Sequence, residues 1–349
     1  MSDQIRVLIA EDSPTLRKYI RATLESDPSF TVVGEAINGE EAISLCRSLD
    51  PDIITMDIQM PKMDGLTAIA KIMAEMPRPI VVMTSTKSNI ETGSSFKAME
   101  AGALMVMSKP RAMPAVSSNA ENIISQVKTM AQVKVVGRRR SINKDATYQS
   151  GAKSGRIEIN RGAYEVITIG TSTGGPAAVQ MILNNLPADL PVPVLIVQHL
   201  SNGFITGLAK WLDESTPLNV RVAGNGDLIQ PGVAYLAPDD RHMTIGTSFR
   251  IQLLDSPNID RHKPSVTALF TSVAERFGEA AIGVLLTGMG SDGARGLKAI
   301  RDAGGYTFAQ EKDSCVVFGM PNEAIKLDAV REVLSVEDVA PRILSKLRR

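Results

Sequence analysis

Apolar residues in the first part of the chain form short runs rich in Val and Ile, separated by stretches with helical spacing. Each run has the length of a strand. Nearly all-apolar strands that alternate with helices are typical of a parallel sheet covered on both faces. The pattern therefore predicts a (βα)5 domain over residues 1–130. Its predicted strands are Arg6–Ala10, Thr31–Ala36, Asp52–Asp57, Pro79–Thr84 and Leu104–Ser108, with helices at Gly39–Leu49 and around Glu121–Val133.

A second alternation of strands and helices begins near Glu165 and predicts a further domain over residues 161–349. We expect a doubly wound α/β fold with a mainly parallel sheet and some antiparallel strands in its middle. The predicted strands are Val166–Gly170, Val192–Val197, Asn219–Ala223, Val233–Ala237, Arg250–Leu254, Ile282–Leu286 and Tyr306–Gln310. The predicted helices include Ser265–Phe277, Gly293–Ala303 and a last short one, Asn322–Leu327, before a tail.

Between the two domains, residues 131–160 have a different composition. The stretch from Lys134 to Arg161 holds eight Lys and Arg residues against only Asp145 and Glu158, and it shows little apolar periodicity. Such a segment is typical of a flexible basic linker. The alternative is a docking strip for an acidic partner.

Charge and composition narrow the class of protein. The 38 basic and 38 acidic side chains cancel, and aromatic residues make up 4%, so nucleic-acid binding is not indicated. The two cysteines, Cys46 and Cys315, exclude a disulfide framework and a cysteine-rich zinc site. The N-terminus lacks the apolar core of a signal peptide, and the longest apolar runs are far too short to cross a bilayer. We therefore expect a cytoplasmic protein.

Polar residues in the first domain gather at the carboxyl ends of the predicted strands. Glu11 and Asp12 follow the first strand, Asp57 ends the third, Thr84 ends the fourth and Lys109 follows the fifth. Each residue alone would be interpreted as a helix cap or a loop solubiliser. Together they predict one acidic pocket that needs a hard cation such as Mg²⁺. Asp57 could then act as a nucleophile toward phosphorus, with Lys109 and Thr84 holding the phosphoryl oxygens.

In the second domain, the segment Gly170–Pro176 joins a predicted strand to a predicted helix and presents Ser172 in a G-x-S-x-G pattern. A glycine-rich turn of this kind is also an ordinary helix cap or a phosphate cradle. A serine nucleophile needs a base, and His199 follows the neighbouring strand. His242 and His262 lie in predicted turns and are interpreted as surface histidines that shape the cleft.

A base needs an acid to orient it, and Asp292 lies in a glycine-rich turn after the strand Ile282–Leu286. The ordinary interpretation of Asp292 is a helix N-cap. Because Ser172, His199 and Asp292 each follow a strand, we expect them to share one edge of the sheet. The sequence therefore predicts a catalytic triad.

Residues 1–130 resemble a response-regulator receiver domain in the features Glu11, Asp12, Asp57, Met60–Gly65, Thr84 and Lys109. The resemblance implies phosphorylation of Asp57 by a histidine kinase. It also implies that the backbone carbonyl of Gln59 joins Glu11, Asp12 and Asp57 as a Mg²⁺ ligand. Thr84 and Lys109 would be the switch residues. Val106 departs from the family, because many receivers carry an aromatic residue there.

Residues 160–349 resemble the catalytic domain of the chemotaxis protein-glutamate methylesterases, the CheB type. The resemblance implies hydrolysis of glutamate methyl esters, and deamidation of glutamines, on cytoplasmic helices of chemoreceptors. It implies an oxyanion site at the backbone of Met289 and Thr173, no cofactor in this domain, and contact with the membrane only through receptors. The matching segments are Gly170–Pro176, Val197–His199, Ala237–His242, Pro264–Val266 and Leu286–Gly293.

Three alternatives remain open at this point. One is a response regulator whose second domain only binds a nucleotide or a partner, although the glycine-rich turn lacks the lysine of a P-loop. Another is a carboxylesterase for small esters, which leaves the receiver without a purpose. The third keeps the chemosensory class but places the output outside chemotaxis.

Overall fold

The computed structural model describes residues 4–84, 96–109, 118–133, 135 and 164–348, and the chain divides into two compact units. Nearly all of the predicted linker lies outside the described residues, so its flexibility stays a prediction, as do the domain boundaries. No described helix is long and apolar enough to span a membrane.

The first sheet has five strands in the order β2-β1-β3-β4-β5. The pairs β1–β2, β1–β3 and β3–β4 are parallel, which confirms the predicted sheet. Because the strands run the same way, their carboxyl ends meet at one edge. The strands are β1 (Ile5–Ala10), β2 (Phe30–Ala36), β3 (Ile53–Asp57), β4 (Ile80–Thr84) and β5 (Met105–Ser108).

Short polar residues start the helices that follow the first three strands. The side chains of Ser13, Asn38 and Asp64 each accept a hydrogen bond from a backbone N–H in the first turn of their helix. These N-caps satisfy helix ends that would otherwise lack partners, and they turn the chain back just beyond the strand ends. The described helices are α1 (Pro14–Glu25), α2 (Gly39–Leu49), α3 (Gly65–Glu75) and α4 (Ser118–Ala131).

The second sheet has seven strands in the order β14-β13-β12-β6-β7-β9-β8, and every neighbouring pair is parallel. The chain proceeds from β6 to β7 on one side and later returns to β12 on the other. This reversal beside β6 is where open α/β sheets form a ligand crevice. The strands are β6 (Val166–Thr171), β7 (Val194–Gln198), β8 (Asn219–Val222), β9 (Val233–Leu236), β12 (Ala281–Leu285), β13 (Tyr306–Gln310) and β14 (Glu332–Leu334).

The predicted antiparallel strands are confirmed, but as a separate two-stranded sheet rather than as part of the large one. Strand β10 (His242–Ile245) pairs antiparallel with β11 (Ile251–Leu254). The helices of this unit are α5 (Gly175–Asn184), α6 (Ile205–Ser215), α7 (Val266–Phe277), α8 (Ala294–Asp302), α9 (Met320–Lys326) and α10 (Val336–Leu347).

The expectation of a tail after the helix near residue 325 is wrong. The chain continues into β14 on the edge of the sheet and then into the twelve-residue helix α10. Val339 and Ile343 of α10 are fully buried. The segment is therefore part of the packed unit.

Helix α7 lies directly against the carboxyl end of β6. A Cβ atom on Gly170 would lie 2.1 Å from Cγ1 of Val266, so only glycine permits this approach. Val266, Leu269 and Phe270 are fully buried in the core. The contact places the N-terminus of α7 beside the strand ends, where the candidate site lies.

Candidate functional site

Ser172 directly follows β6, and hydrogen bonds hold its backbone from two sides. Its N–H donates to the carbonyl of Thr287 (3.0 Å), and its carbonyl accepts from Nε2 of Gln198 (2.7 Å). The hydroxyl of Thr287 also donates to the carbonyl of Thr173 (2.9 Å). The serine turn is therefore held between the last residue of β7 and the loop that follows β12.

The turn after Ser172 leads directly into helix α5, as the sequence predicts. Gly174 has φ of +78°, and a Cβ there would lie 2.5 Å from Cγ2 of Val316, so the position requires glycine. Pro176 lies in the first turn of the helix, where its missing N–H has no consequence. Ser172 thus lies at the start of a helix, whose positive end favours developing negative charge.

His199 directly follows β7, and its Nε2 lies 2.9 Å from Oδ2 of Asp292. Both side chains are largely buried, with exposed fractions of 9% for His199 and 0% for Asp292. An ionised carboxylate accepts a hydrogen, so Nε2 carries the proton in the neutral ring. Nδ1 is buried and has no hydrogen-bond partner among the described residues. His199 therefore holds an unprotonated ring nitrogen that no other group occupies.

Asp292 is held by the N-terminus of α7 as well as by His199. It accepts hydrogen bonds from the Ser265 hydroxyl (2.8 Å) and from the backbone N–H groups of Val266 (2.8 Å) and Thr267 (2.9 Å). Burial raises the pKa of Asp292, but the hydrogen bond and charge of His199 and the bonds from Thr267 and Ser265 outweigh it and lower that pKa to about 2. Asp292 is therefore ionised at neutral pH. The ordinary interpretation of it as the cap of its own helix does not hold, since that N-cap is Gly293.

The other two histidines have different surroundings. The interpretation of His242 as a surface residue in a turn is wrong: it begins β10 and is fully buried. Its Nδ1 accepts from the N–H of Ser265 (3.2 Å), so Nε2 carries the proton and donates to the carbonyl of Pro257 (3.0 Å). His262 stacks on His199 with ring centroids 3.9 Å apart and planes within 6°. His242 is thus a structural residue, whereas His262 borders the candidate base.

The two predicted oxyanion positions flank Ser172. Thr173 follows it directly and is buried, while Met289 lies in the loop after β12 with 44% of its surface exposed. Gly288 brings that loop against the serine, because a Cβ there would lie 2.7 Å from Cβ of Ser172. The residue that precedes Met289 therefore lies against the candidate nucleophile.

A second candidate site lies at the carboxyl edge of the first sheet. Carboxylate oxygens of Glu11, Asp12 and Asp57 lie within 4.8 Å of one another, with Glu11 and Asp57 buried and Asp12 exposed. Three negative charges at this separation repel one another unless a cation joins them. Oxygen donors of this kind suit Mg²⁺, so the donor set fits the predicted metal.

The remaining predicted residues of this site lie at the same edge. Thr84 ends β4 and is buried, and its carbonyl accepts a hydrogen bond from the N–H of Lys109 (2.8 Å). Gln59 is exposed in the loop after Asp57. A Cβ on Gly65 would lie 2.0 Å from the carbonyl oxygen of Asp57, so this glycine lets α3 start close to the strand end. Sequence order thus predicted the acidic residues, Thr84, Lys109 and the serine, histidine and aspartate at strand ends, whereas Gln59 and the two oxyanion positions came from the family resemblance.

Sequence reasoning missed the residues that support the serine and the aspartate. Gln198, Ser265, Thr267 and Thr287 are all buried, and each makes a hydrogen bond to one of these two residues. Only Ser265 carried a usable signal, since a serine before an apolar helix is a typical N-cap. Its bond to Asp292 depends on contacts between residues 27 positions apart.

The fold and these arrangements define a class of protein with two α/β units. One carries a carboxylate cluster at its strand ends, and the other carries a serine turn beside a histidine–aspartate pair. Residues 7–120 match the model of the response regulator receiver domain, and residues 167–343 match the model of the CheB methylesterase. The chain belongs to the CheB methylesterase family and carries a response regulator receiver domain.

Relatives and a solved structure agree with this assignment. The chain is 41% identical to a protein-glutamate methylesterase/protein-glutamine glutaminase of Myxococcus xanthus, over 99% of this chain and 98% of that protein. It is 43% identical to one of Anaeromyxobacter dehalogenans, over 99% of this chain and 100% of that protein. The crystal structure of the Thermotoga maritima CheB methylesterase catalytic domain is similar with a TM-score of 0.51 and 35% identity, covering 52% of this chain and 98% of that one.

Proposed function

We propose that this chain is a phosphorylation-regulated serine hydrolase of chemosensory signalling. Its reaction is the hydrolysis of glutamate methyl esters on the cytoplasmic helices of chemoreceptors, which gives glutamate and methanol. The observation that carries the proposal is the bond from His199 Nε2 to Asp292. It leaves a buried Nδ1, without a partner among residues 4–84, 96–109, 118–133, 135 and 164–348, at the sheet edge that also holds Ser172. The names of the curated relatives supply the substrate class.

In this reaction Ser172 attacks the ester carbonyl while Nδ1 of His199 takes the hydroxyl proton. The ionised Asp292 keeps the proton on Nε2 and stabilises the imidazolium that forms. His199 then gives the proton to the leaving methoxide, and methanol departs. Water, activated by the same nitrogen, hydrolyses the acyl-enzyme and releases glutamate. An amide side chain could follow the same path and release ammonia, which would account for glutamine deamidation.

The negative charge that develops on the carbonyl oxygen needs donors in place before the reaction. We assign this role to the backbone N–H groups of Met289 and Thr173, which flank Ser172. The close approach of Gly288 to Ser172 supports the assignment. One such donor is worth roughly 3–4 kcal/mol of barrier.

The first test is methanol release from a methylated receptor fragment. Ser172→Ala should lower turnover by at least about a thousandfold, because only binding and oxyanion stabilisation remain after the nucleophile is lost. Ser345→Ala, which removes a helix-surface hydroxyl from α10, is the matched control and should leave turnover unchanged. Near-normal methanol release by Ser172→Ala would remove this residue from the mechanism. Cleavage of small esters without activity on receptor would favour the carboxylesterase alternative.

The carboxylate cluster of the first sheet supports a regulatory phosphorylation at Asp57. Glu11, Asp12, Asp57 and the carbonyl of Gln59 would hold Mg²⁺, which would neutralise the incoming phosphoryl charge. We assign Asp57 as the acceptor because it ends β3 at the edge of the sheet and belongs to this cluster. Thr84 and Lys109 would contact the bound phosphoryl group. The donor we propose is a histidine kinase, and the cell compartment is the cytoplasm, where the receptor helices lie.

A small phosphodonor tests this second site. The full chain should gain a phosphoryl group in the presence of Mg²⁺ and lose that ability in Asp57→Asn, as followed by mass spectrometry on fresh protein. Asp50→Asn is the control: this helix C-cap has φ of +46°, which asparagine tolerates, and it lies outside the cluster. An adduct that forms on Asp57→Asn, or without any divalent cation, would show that the site is assigned wrongly.

A further inference from the structure

Hydrogen bonds alone leave the His199 ring incompletely fixed. Nε2 is bonded to Asp292, while Nδ1 has no hydrogen-bond partner in the part of the chain that the structure describes. One hydrogen bond fixes the position of Nε2 but still permits the plane of the ring to rotate. Proton transfer requires the nitrogen lone pair to be aligned within a narrow range, so a second constraint on the plane is needed.

The face of His262 supplies that constraint. The two rings lie parallel within 6°, with centroids 3.9 Å apart. Burial lowers the pKa of His262, and the neighbouring His199 lowers it further, while Asp292 and Asp260 act in the opposite direction. His262 is therefore a neutral aromatic face at neutral pH. Such a face tolerates the positive charge that His199 gains when it takes a proton, whereas a second cation would oppose it.

The backbone around His262 is strained in a way that presents the ring. Ile259 and His262 exchange two backbone hydrogen bonds across a turn whose central residues, Asp260 and Arg261, have φ of +50° and +69°. Non-glycine residues in this region are unfavourable, and they persist only where surrounding contacts hold them.

The contacts that hold this turn involve residues that also bind Asp292. Oδ2 of Asp260 accepts from the hydroxyl of Thr267 (2.8 Å), and Arg295 pairs with Oδ1. The backbone N–H of Thr267 binds Asp292, and its hydroxyl accepts from Gly293 (2.8 Å). Thr267 thus contacts both the turn that carries His262 and the carboxylate of Asp292. It fixes their positions relative to each other.

We propose that His262 is a positioning residue for the reaction: its ring fixes the plane of the His199 imidazole while Asp292 fixes Nε2. The proposal depends on the proposed function only for its predicted effect on kcat. It assigns His262 no proton transfer and no contact with substrate.

The test uses the full chain and a methylated receptor fragment. In His262→Ala, kcat should fall about three- to tenfold, the size of an aromatic pair interaction, with KM unchanged. His262→Phe keeps a flat ring without a titrating group and should recover most of the lost kcat. Glu275→Gln changes an exposed side chain on α7, outside the turn that carries His262, and should match the wild type.

A second measurement does not depend on activity. In nitrogen-15 NMR spectra of the unliganded chain, the Nε2 proton of His199 should exchange slowly with water in the wild type and in His262→Phe, and faster in His262→Ala. The positioning role is wrong if His262→Phe is no better than His262→Ala, if KM alone rises, or if His262→Ala leaves both kcat and proton exchange unchanged. A wild-type chain that releases no methanol but shows the expected exchange pattern would refute the proposed function and retain the positioning role.

Discussion

At the scale of single residues, surroundings rather than residue type separate the three histidines. His242 and His199 both carry their proton on Nε2, but Nδ1 of His242 is occupied by the Ser265 N–H and Nδ1 of His199 is not. A ring nitrogen that already accepts a backbone hydrogen bond cannot serve as a base without breaking that bond. The unpartnered nitrogen therefore identifies His199 as the candidate base.

His242→Gln should reduce stability rather than chemistry. Loss of the ring leaves the buried N–H of Ser265 or the carbonyl of Pro257 without a partner, which costs about 1–3 kcal/mol in the free energy of unfolding. We expect a lower midpoint in denaturant unfolding, and a kcat much closer to wild type than that of His199→Gln. If the His242 variant were as stable as wild type but as inactive as the His199 variant, the base would be assigned to the wrong histidine.

The serine, histidine and aspartate could be predicted at this scale because each follows an apolar strand, and parallel strands bring their carboxyl ends together. The stack of His262 on His199 could not. It depends on a turn in which Asp260 and Arg261 adopt positive φ, and arginine does not signal that conformation. The burial of His242 was missed because the four-residue strand β10 pairs only with its neighbour β11.

At the scale of elements, the start of helix α7 links fold to site. Ser265 caps the helix by accepting from the N–H of Ala268 (3.3 Å), and its hydroxyl donates to Asp292. The free N–H groups of the first turn and the positive end of the helix dipole both favour a carboxylate there. The hydrogen bond and charge of His199, together with this helix start, lower the pKa of Asp292 and keep it ionised although it is buried.

The last helix, α10, has sequence features that are typical of a helix. Ser335 and Asp338 have the spacing of a capping pair, and Val336, Val339 and Ile343 repeat at helical intervals. Pro341 within the segment argues against a helix, yet the helix continues through it. The capping pair and the apolar spacing thus indicate the helix that the expectation of a tail left out.

Glu332 connects α10 to the edge strand β14 and should make stability depend on pH. Arg342 donates two hydrogen bonds to its carboxylate (2.7 Å each), and Lys346 and the Tyr306 hydroxyl also contact it. The hydrogen bond from Arg342 lowers the pKa of Glu332 to about 2, against an opposing effect of burial and with help from Tyr306 and Lys346. Because the folded pKa lies below the unfolded one, this stabilisation is present above about pH 4.5 and is lost as the pH falls toward 2.

Glu332→Gln should therefore destabilise the chain by about 1–2 kcal/mol at pH 7, a value reduced for the partial exposure of the carboxylate. The difference from wild type should shrink between pH 5 and pH 3. Denaturant unfolding at a series of pH values measures it, with Glu337→Gln in the first turn of α10 as a control. A difference that stays constant over this range would mean that the Glu332 charge does not contribute.

At the scale of the whole molecule, the chain joins two α/β units with one arrangement in common, polar residues at the carboxyl edge of a parallel sheet. The alternation of strands and helices predicted both sheets because the central strands β3, β4, β6, β7 and β12 are buried along their whole length and are therefore nearly all apolar. Side-chain pattern does not determine strand order. The reversal that places β12 beside β6, and with it Asp292 beside His199, becomes visible only in the folded sheet.

Regulation by phosphorylation requires both units, whereas catalysis requires only the second. Rates measured with and without a phosphodonor distinguish the two. If phosphorylation of Asp57 shifts the population of an active state, a coupling of about 1–3 kcal/mol gives roughly a 5- to 150-fold change in rate. A truncated chain that begins at Gly155 should fold, since the corresponding catalytic domain of a relative has been solved by itself. We expect it to release methanol faster than the unphosphorylated full chain.

The phosphodonor should then raise methanol release by the full chain and leave the truncated chain unchanged, because only the full chain contains Asp57. Asp57→Asn in the full chain serves as the matched control and should show the low basal rate with and without the donor. Equal rates of the truncated and full chains, together with no response to the donor, would contradict control of turnover by phosphorylation. Such a result would favour a receiver that locates the enzyme at its receptor and so raises the local concentration of substrate.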